Sequence, residues 1–483
     1  MFRAYQTSFM KLNSICRLAV FVLIAVLYSC KTKQHFQSVH IEVVEQPVAD
    51  TTIVTVLDTL PVEDDWVEMP VKSGRFQGEL LDQINNSGPL KHGFSGFLLH
   101  DPEADTVIFN LNEHKYFVAA SNTKIFTLYA CLKTMKDSLA ALKYVETDST
   151  LTIWGTADPT LLHPDFTDAG VIEFLKRKVA RRHVNLANYD VIPPYGKGWM
   201  WDDYNDAYQA EITAMPLFGN VLTVKQEKNS MTIVPTSPML NIDFQSEVSY
   251  VRRVPDQNLF ELPSNFAGNA YFKQKVPYKY AERVNKSLLG DIIGARMDTV
   301  KLSLPIVHQT KYSLPKDTVL RRMMYKSDNM LAEHLLLNAS MQAIETLHTA
   351  TFIKWMKDTY LADLPQRIYW VDGSGLSRYN QCTPTSLVYI LNKLYKEEKR
   401  ERLFSFFNEV KANQLSEKSK PVTKPMILGK SGTMSGVYNL SGYIVTKSGH
   451  SLVYSFMNNN FDTPVRDVRQ AITKILNYIA EHY

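Results

Sequence analysis

In Lys115-Tyr-Phe-Val-Ala-Ala-Ser-Asn-Thr-Lys-Ile-Phe-Thr-Leu-Tyr-Ala130, apolar side chains recur at 125, 126, 128 and 129 and again at 132. That spacing predicts a helix that starts near Ser121 and buries one face. Ser121 and Lys124 stand three residues apart, so both side chains emerge on one side of its first turn. A serine hydroxyl is a weak nucleophile until a base removes its proton, and a desolvated or cation-flanked lysine can serve as that base. The helix N-terminus adds N–H groups that favour developing negative charge. Taken alone, the same four residues also read as an N-cap serine followed by an exposed lysine. Upstream, Phe94 to His100 and Thr106 to Asn110 read as paired strands around an Asp101-Pro-Glu-Ala-Asp105 turn.

Two further segments supply chemistry that the first lacks. Ser327-Asp-Asn329 falls between two amphipathic helical stretches, where Ser327 and Asn329 can bring a hydroxyl and an amide to one side of the joint. A plain helix cap by Ser327 or Asp328 accounts for the same text. Lys430-Ser-Gly-Thr433 opens a β-hairpin that continues through Asn439-Leu-Ser-Gly-Tyr-Ile-Val-Thr446 and Leu452-Val-Tyr-Ser-Phe-Met457. Gly432 removes a side chain where a ligand must approach a strand backbone, Lys430 brings positive potential, and the Ser431 and Thr433 hydroxyls can bind a carboxylate. A bulge or a solvent-facing strand is the alternative.

Together the three segments resemble the penicillin-recognising serine enzymes, in which S-x-x-K, S-x-N and K-[ST]-G surround one site. Gly198-Trp-Met-Trp-Asp-Asp-Tyr204, Asp372-Gly-Ser-Gly-Leu-Ser-Arg378 with Thr383-Pro384, and Lys430-Ser-Gly-Thr-Met434 with Gly436-Val437 narrow the resemblance. They are similar to the D-alanyl-D-alanine carboxypeptidase/endopeptidase family typified by penicillin-binding protein 4, peptidase family S13 or the class C low-molecular-mass penicillin-binding proteins. The likeness runs over roughly residues 75 to 483. Class A β-lactamases place the first two motifs much closer together; here the extra chain is domain-sized, as this family's inserted domains are.

The resemblance implies an α/β fold with a β-lactamase/transpeptidase-like domain, an antiparallel sheet flanked by helices. Residues 75–150 and 305–483 are expected to form it, with the amphipathic helix Val468 to Ile479 packed on the sheet. An inserted domain is expected over 151–304, opening at Trp154-Gly-Thr-Ala-Asp-Pro-Thr160 and containing strand-like runs such as Met231-Thr-Ile-Val234 and Val300-Lys-Leu-Ser-Leu304.

The implied activity is that of a serine-type D-Ala-D-Ala carboxypeptidase, a DD-endopeptidase, or both. It would act on peptidoglycan stem peptides through an acyl-enzyme on Ser121, with β-lactam antibiotics as covalent inhibitors. By resemblance Lys124 is the general base, Ser327 relays the proton, and Asn329 orients the substrate amide. Lys430, Ser431 and Thr433 hold the terminal carboxylate across Gly432, and the Ser121 and Thr433 N–H groups make the oxyanion hole. The family usually has threonine where Ser431 stands; the hydroxyl is kept. Asp203, Tyr208, Arg378 and Met434 match a side-chain pocket for the stem-peptide diamino acid, in which a cationic amine needs a carboxylate and a carboxylate needs an arginine. An Asp203–Arg378 ion pair between domains is the structural alternative. Rival functions are a β-lactamase-like hydrolase with rapid deacylation and a non-catalytic cell-wall-binding lipoprotein.

Other candidates carry less. Gly373-Ser-Gly375 lacks the first glycine of a nucleophile elbow, since position 372 is Asp. Glu333 to Asn338 faintly resembles the deacylating glutamate motif of class A β-lactamases but follows Asn329 too closely, and reads as helix. His334 lies in an apolar helical run and reads as a core or boundary histidine. The 12 histidines are scattered without metal-ligand spacing, so neither a metal nor a cofactor is expected.

The remainder of the chain bounds where this chemistry happens. It has 483 residues, 45% of them hydrophobic, and a net charge of +4, too small to argue for a nucleic-acid partner. Arg3, Lys11 and Arg17 precede an apolar run from Leu18 to Tyr28, too short for a bilayer and suited to a signal peptide over 1–30. Leu27-Tyr-Ser-Cys30 resembles a bacterial lipobox, with Tyr28 bulkier than usual, so Cys30 is the expected lipidation site. The chain would then be an exported lipoprotein facing the periplasm, an ordinary secretory signal and a soluble periplasmic protein being the alternative. Each buried acyl methylene contributes about 0.8 kcal/mol to anchoring. Residues 31–74 read as a polar tether reaching on the order of 40 Å, with a short strand conceivable at Ile53 to Leu57. Cys131 and Cys382 read as separately buried thiols, although an exported pair can also form a disulfide.

Overall fold

Strict alternation in Val437-Tyr-Asn-Leu-Ser-Gly-Tyr-Ile-Val445 sends 438, 440 and 444 to one face of a strand and 439, 441 and 443 to the other, yet the whole strand is buried. Such a strand needs cover on both faces, and the computed structural model shows it. The described residues are 74–483 apart from 168, 181, 189–191, 229, 265–270, 412–413 and 417–424. The expected signal segment, Cys30, the tether and the Ile53 to Leu57 run lie outside them.

The central sheet has seven strands, β1 (Phe94–Asp101), β2 (Thr106–Leu111), β3 (Asn408–Lys411), β4 (Gln414–Ser416), β5 (Met426–Met434), β6 (Val437–Val445) and β7 (Ser451–Asn459). Their order is β4-β3-β5-β6-β7-β1-β2 and every pairing is antiparallel. Helices α1 (Arg75–Asn85) and α6 (Val465–His482) cover one face, with Tyr438, Leu440 and Ile444 in a core with Val468, Ile472 and Ile479. The other face packs on α2 (Lys124–Thr134), α3 (Lys316–Lys326), α4 (Asn329–Ile344) and α5 (Pro384–Glu397), around Leu128, Leu331, Leu335 and Leu391. The helix expected over 468–479 is present and three residues longer at each end.

A second, five-stranded sheet runs in the order Met297–Lys301, His183–Asn188, Thr150–Gly155, Ser138–Glu146 and Gln309–Pro315. The strand at 138–146 pairs with the edge strand at 309–315 across the expected limits of the insertion at 151 and 304. The second sheet therefore draws on strands outside those expected limits, from Ser138 to Pro315, and Leu139 and Leu314 on them pack into the core beside α2 and α4. Two three-stranded sheets, built from strands between Val221 and Pro277, complete it around Leu222, Val224, Phe260 and Val276. Cys131 and Cys382 are both free and buried.

Candidate active site

The helix expected to start at Ser121 begins instead as a 3₁₀ turn, Ala120–Thr123, and becomes α-helical only at Lys124. The tighter turn is clamped from below by the inward face of β6. Asn439 Nδ2 donates to the carbonyls of Val118 (2.8 Å) and Ala119 (3.0 Å), and Ser441 Oγ donates to Asn122 Oδ1 (2.7 Å). Asn122 Nδ2 in turn donates to the Lys430 carbonyl (2.8 Å). Ala120 is held at φ +46°, costly for a residue with a Cβ, and Gly375 presses on its carbonyl so closely that a Cβ there would lie 1.9 Å from the oxygen.

Lys124 Nζ donates to Ser121 Oγ (3.1 Å), Asn329 Oδ1 (2.7 Å) and the Ser374 carbonyl (2.7 Å). Burial lowers this lysine to about 8, opposed by the carboxylates of Glu333, Asp328 and Asp372. Lys430 Nζ donates to Ser327 Oγ (2.9 Å) and to the Ser431 carbonyl (2.6 Å). Burial, and then the charge on Lys124, push Lys430 well below the usual lysine range. The Ser-Asp-Asn joint caps a helix and also turns two polar side chains toward the two lysines. Asp328 caps α4 through Leu331 N (2.9 Å), while Ser327, held left-handed at φ +55°, faces Lys430, and Asn329 faces Lys124. Among the described residues no hydrogen bond links Ser327 to Ser121 or to Lys124.

Among the described residues β3 pairs with β5 only at Asn408↔Gly429 and Glu409↔Leu428, so there Lys430 to Met434 pair on one side alone, with β6. The pleat puts Lys430 and Gly432 toward the serine turn, where a Cβ on Gly432 would come within 3.0 Å of Ser121 N. Ser431 and Thr433 occupy the alternate positions, half-buried and exposed, and their hydroxyls have no partner among the described residues. Met434 ends the strand, half-buried.

The proposed side-chain pocket residues lie on two neighbouring segments. Trp199 Nε1 donates to Asp372 Oδ2 (3.0 Å), tying the segment 198–209 to the turn that carries exposed Arg378. Tyr208 offers its carbonyl to Asn329 Nδ2 (3.1 Å) and its hydroxyl to Asp206 (3.2 Å); burial and a hydrogen-bonding contact with half-buried Asp203 raise its phenol. Among the described residues Arg378 forms no ion pair with Asp203.

Sequence reasoning missed the acids behind the lysine. Glu333 on α4, read only as helix, is fully buried and accepts from Gly373 N (3.0 Å) and Ser374 N (2.8 Å). Asp372 accepts from Gly375 N and Ser377 N, both at 2.7 Å. A glutamate five residues after the capping Asp328, inside an apolar run, was the available signal, but nothing in the text says which backbone it serves. His334 is a core residue as read: Nε2 accepts from Thr213 N (3.2 Å) and Nδ1 bonds the Met330 carbonyl (2.8 Å).

The description "D-Ala-D-Ala carboxypeptidase 3 (S13) family" matches residues 77–259 and 298–479, well over half of the chain. The chain belongs to this family. Among S13 relatives, "D-alanyl-D-alanine carboxypeptidase DacB" of Haemophilus influenzae is 22% identical over 425 residues, 76% of this chain and 86% of the relative. "Penicillin-sensitive carboxypeptidase A" of Dictyostelium discoideum is 22% identical over 445 residues, 77% and 83% respectively. The crystal structure of penicillin binding protein 4 from H. influenzae superposes with a TM-score of 0.65 at 18% identity, over 85% of this chain and 100% of that one. The S13 chain therefore shares the fold expected from its motifs.

Proposed function

We propose that this S13 protein is a serine-type D-alanyl-D-alanine hydrolase acting on peptidoglycan stem peptides, as carboxypeptidase, DD-endopeptidase or both, and that β-lactams acylate the same serine. The observation that carries the reading is the hydrogen-bonded chain Ser121–Lys124–Asn329 set beside Lys430–Ser327. Neutral Lys124 takes the Ser121 proton as Oγ attacks the carbonyl carbon of the penultimate D-alanine. An O–C bond forms and the carbonyl electrons move to oxygen, toward the N–H groups of Ser121 and Thr433; one such donor is typically worth about 3 kcal/mol. Collapse breaks the C–N bond and the amine leaves with a proton passed through Ser327. Water then attacks the ester, releasing the peptide carboxylate and restoring Ser121.

The one-sided edge of β5 suits an extended peptide added as a strand, with its terminal carboxylate at Lys430, Ser431 and Thr433. A carboxylate there favours charged Lys430, and that charge depresses Lys124 further, toward its basic form. Asp203, Tyr208, Arg378 and Met434 are proposed to receive the diamino acid. The basic start, short apolar run and Leu27-Tyr-Ser-Cys30 support export, lipidation at Cys30 and a site facing the cell wall. Incubating the purified protein and Ser121→Ala with intact muropeptides, and weighing the products, tests the activity. Loss of a terminal alanine or splitting of dimers by the parent alone is expected; unchanged muropeptides with the parent would sink the proposal.

A further inference from the structure

Behind Lys124 the turn Asp372–Ser377 is built on two buried carboxylates, and only one of them sits on the same helix as a motif residue. Glu333 lies one turn beyond Asn329 on α4, and its two oxygens accept separately from Gly373 N and Ser374 N. From the opposite side Thr127 Oγ1, on α2, donates to the Gly373 carbonyl (2.6 Å). A Cβ on Gly373 would lie 2.7 Å from the Ala332 carbonyl, so the turn is seated directly on α4. The 373–374 peptides are thus gripped on both faces. What they present as a result is the Ser374 carbonyl, 2.7 Å from Lys124 Nζ.

We infer that Glu333 is a positioning residue for the general base: by fixing the Gly373–Ser374 backbone it aims the Ser374 carbonyl at Lys124, which leaves the lysine one lone pair's direction toward Ser121. A lysine Nζ has three substituent directions besides its carbon. Asn329 and Ser374 occupy two of them, so the third falls on Ser121 Oγ. Loss of either fixed partner frees the amine to rotate or retreat, and a base that is not held on its proton loses efficiency steeply with small displacements. Glu333 also acts on Lys124 through charge. The carboxylates facing that lysine come from α4 (Glu333), the turn (Asp372) and the joint (Asp328), and the cation facing it is Lys430 on β5; Glu333 leads among the acids.

The inference rests on the acylation of Ser121 proposed above, and the test separates the two. Acylation rates with a fluorescent penicillin are measured against pH for the parent, Glu333→Gln, Glu333→Asp and Thr127→Val. A parent that is not acylated removes the catalytic reading and the inference with it. Glu333→Gln turns one acceptor into a donor facing an N–H, so a fall of about 10- to 100-fold is expected, the rate equivalent of an unmade buried hydrogen bond. Burial and the charge on Asp372 raise Glu333 itself to about 8, against the Gly373 and Ser374 hydrogen bonds that favour its anion. Where Glu333 is ionised the variant removes an anion, which disfavours the Lys124 ammonium, so the acid limb should move to lower pH. Glu333→Asp keeps the charge and both acceptors and should recover part of the rate. Thr127→Val should slow acylation while leaving the acid limb where the parent has it; it carries the test if Glu333→Gln does not fold. Parent-like rates in folded Glu333→Gln, or in Thr127→Val, overturn the inference while leaving the function intact. So does a slower Glu333→Gln whose acid limb is unmoved and which Asp does not rescue.

Discussion

At the scale of single residues the proposed mechanism needs one lysine kept neutral and held in place. Lys124 is buried completely, and burial alone would drive its proton off; the three nearby carboxylates bring it back only as far as about 8. A base works in its neutral form, so activity follows deprotonation upward. Penicillin acylation by the parent protein is therefore expected to rise about tenfold per pH unit below about 8 and to level off above it. A rate that stays flat between about pH 6 and 8 would mean that Lys124 is not the base. Ser121, Lys124, Ser327, Asn329 and Lys430, which the fold brings together, could be picked out in the sequence as candidates because each motif carries its polar groups at fixed short spacing. Glu333 and Ser374 were not, because their work is done through backbone groups that no residue type announces.

Among the elements, α4 joins the two layers. It presents Asn329 and Glu333 to the site and, on the next position, His334 to the segment 210–214 of the second layer. The imidazole accepts from Thr213 N at Nε2, so Nδ1 carries the hydrogen for Met330 and the ring is neutral; a second proton would face an N–H. Burial correspondingly lowers His334 from 6.5 to about 4. With the folded pKa below the unfolded one, the unfolded chain binds more protons between those values. His334 therefore adds stability that is complete above about 6.5 and is lost as pH falls toward 4, on the order of 3 kcal/mol at most. Urea melts at about pH 7 and pH 5 should show a smaller difference for His334→Gln than for the parent, and equal differences would contradict this account. The 3₁₀ start of α2 shows the limit of periodicity. Apolar spacing places the helix, but the tighter first turn is imposed by Asn439, Ser441 and Gly375, all more than 200 residues away in sequence.

At the scale of the whole molecule, the two layers meet where substrate is proposed to bind. Asn329 takes the Tyr208 carbonyl, Asp372 takes the Trp199 indole, and Asp203 and Arg378 stand on the two segments so joined without pairing to each other. An acid and a base not paired with each other across a junction, the acid meeting only the Tyr208 hydroxyl among the described residues, suit a zwitterionic side chain better than they suit a structural bridge. Asp203→Ala should lower turnover of diaminopimelate-bearing peptides by about tenfold or more while sparing penicillin acylation, since only the peptide carries the amine. Equal loss of both activities would place Asp203 in the structure and not in the pocket. The amino-acid sequence by itself determined the three candidate motifs, the antiparallel strands of the hairpin and the amphipathic helices, because these depend on spacing along a chain. The limits of the second layer, the 3₁₀ turn under Ser121, the one-sided edge of β5 and the acid behind Lys124 were decided only in three dimensions. Each depends on which backbone groups lie opposite one another after folding, and the donors and acceptors of a backbone are the same at nearly every residue.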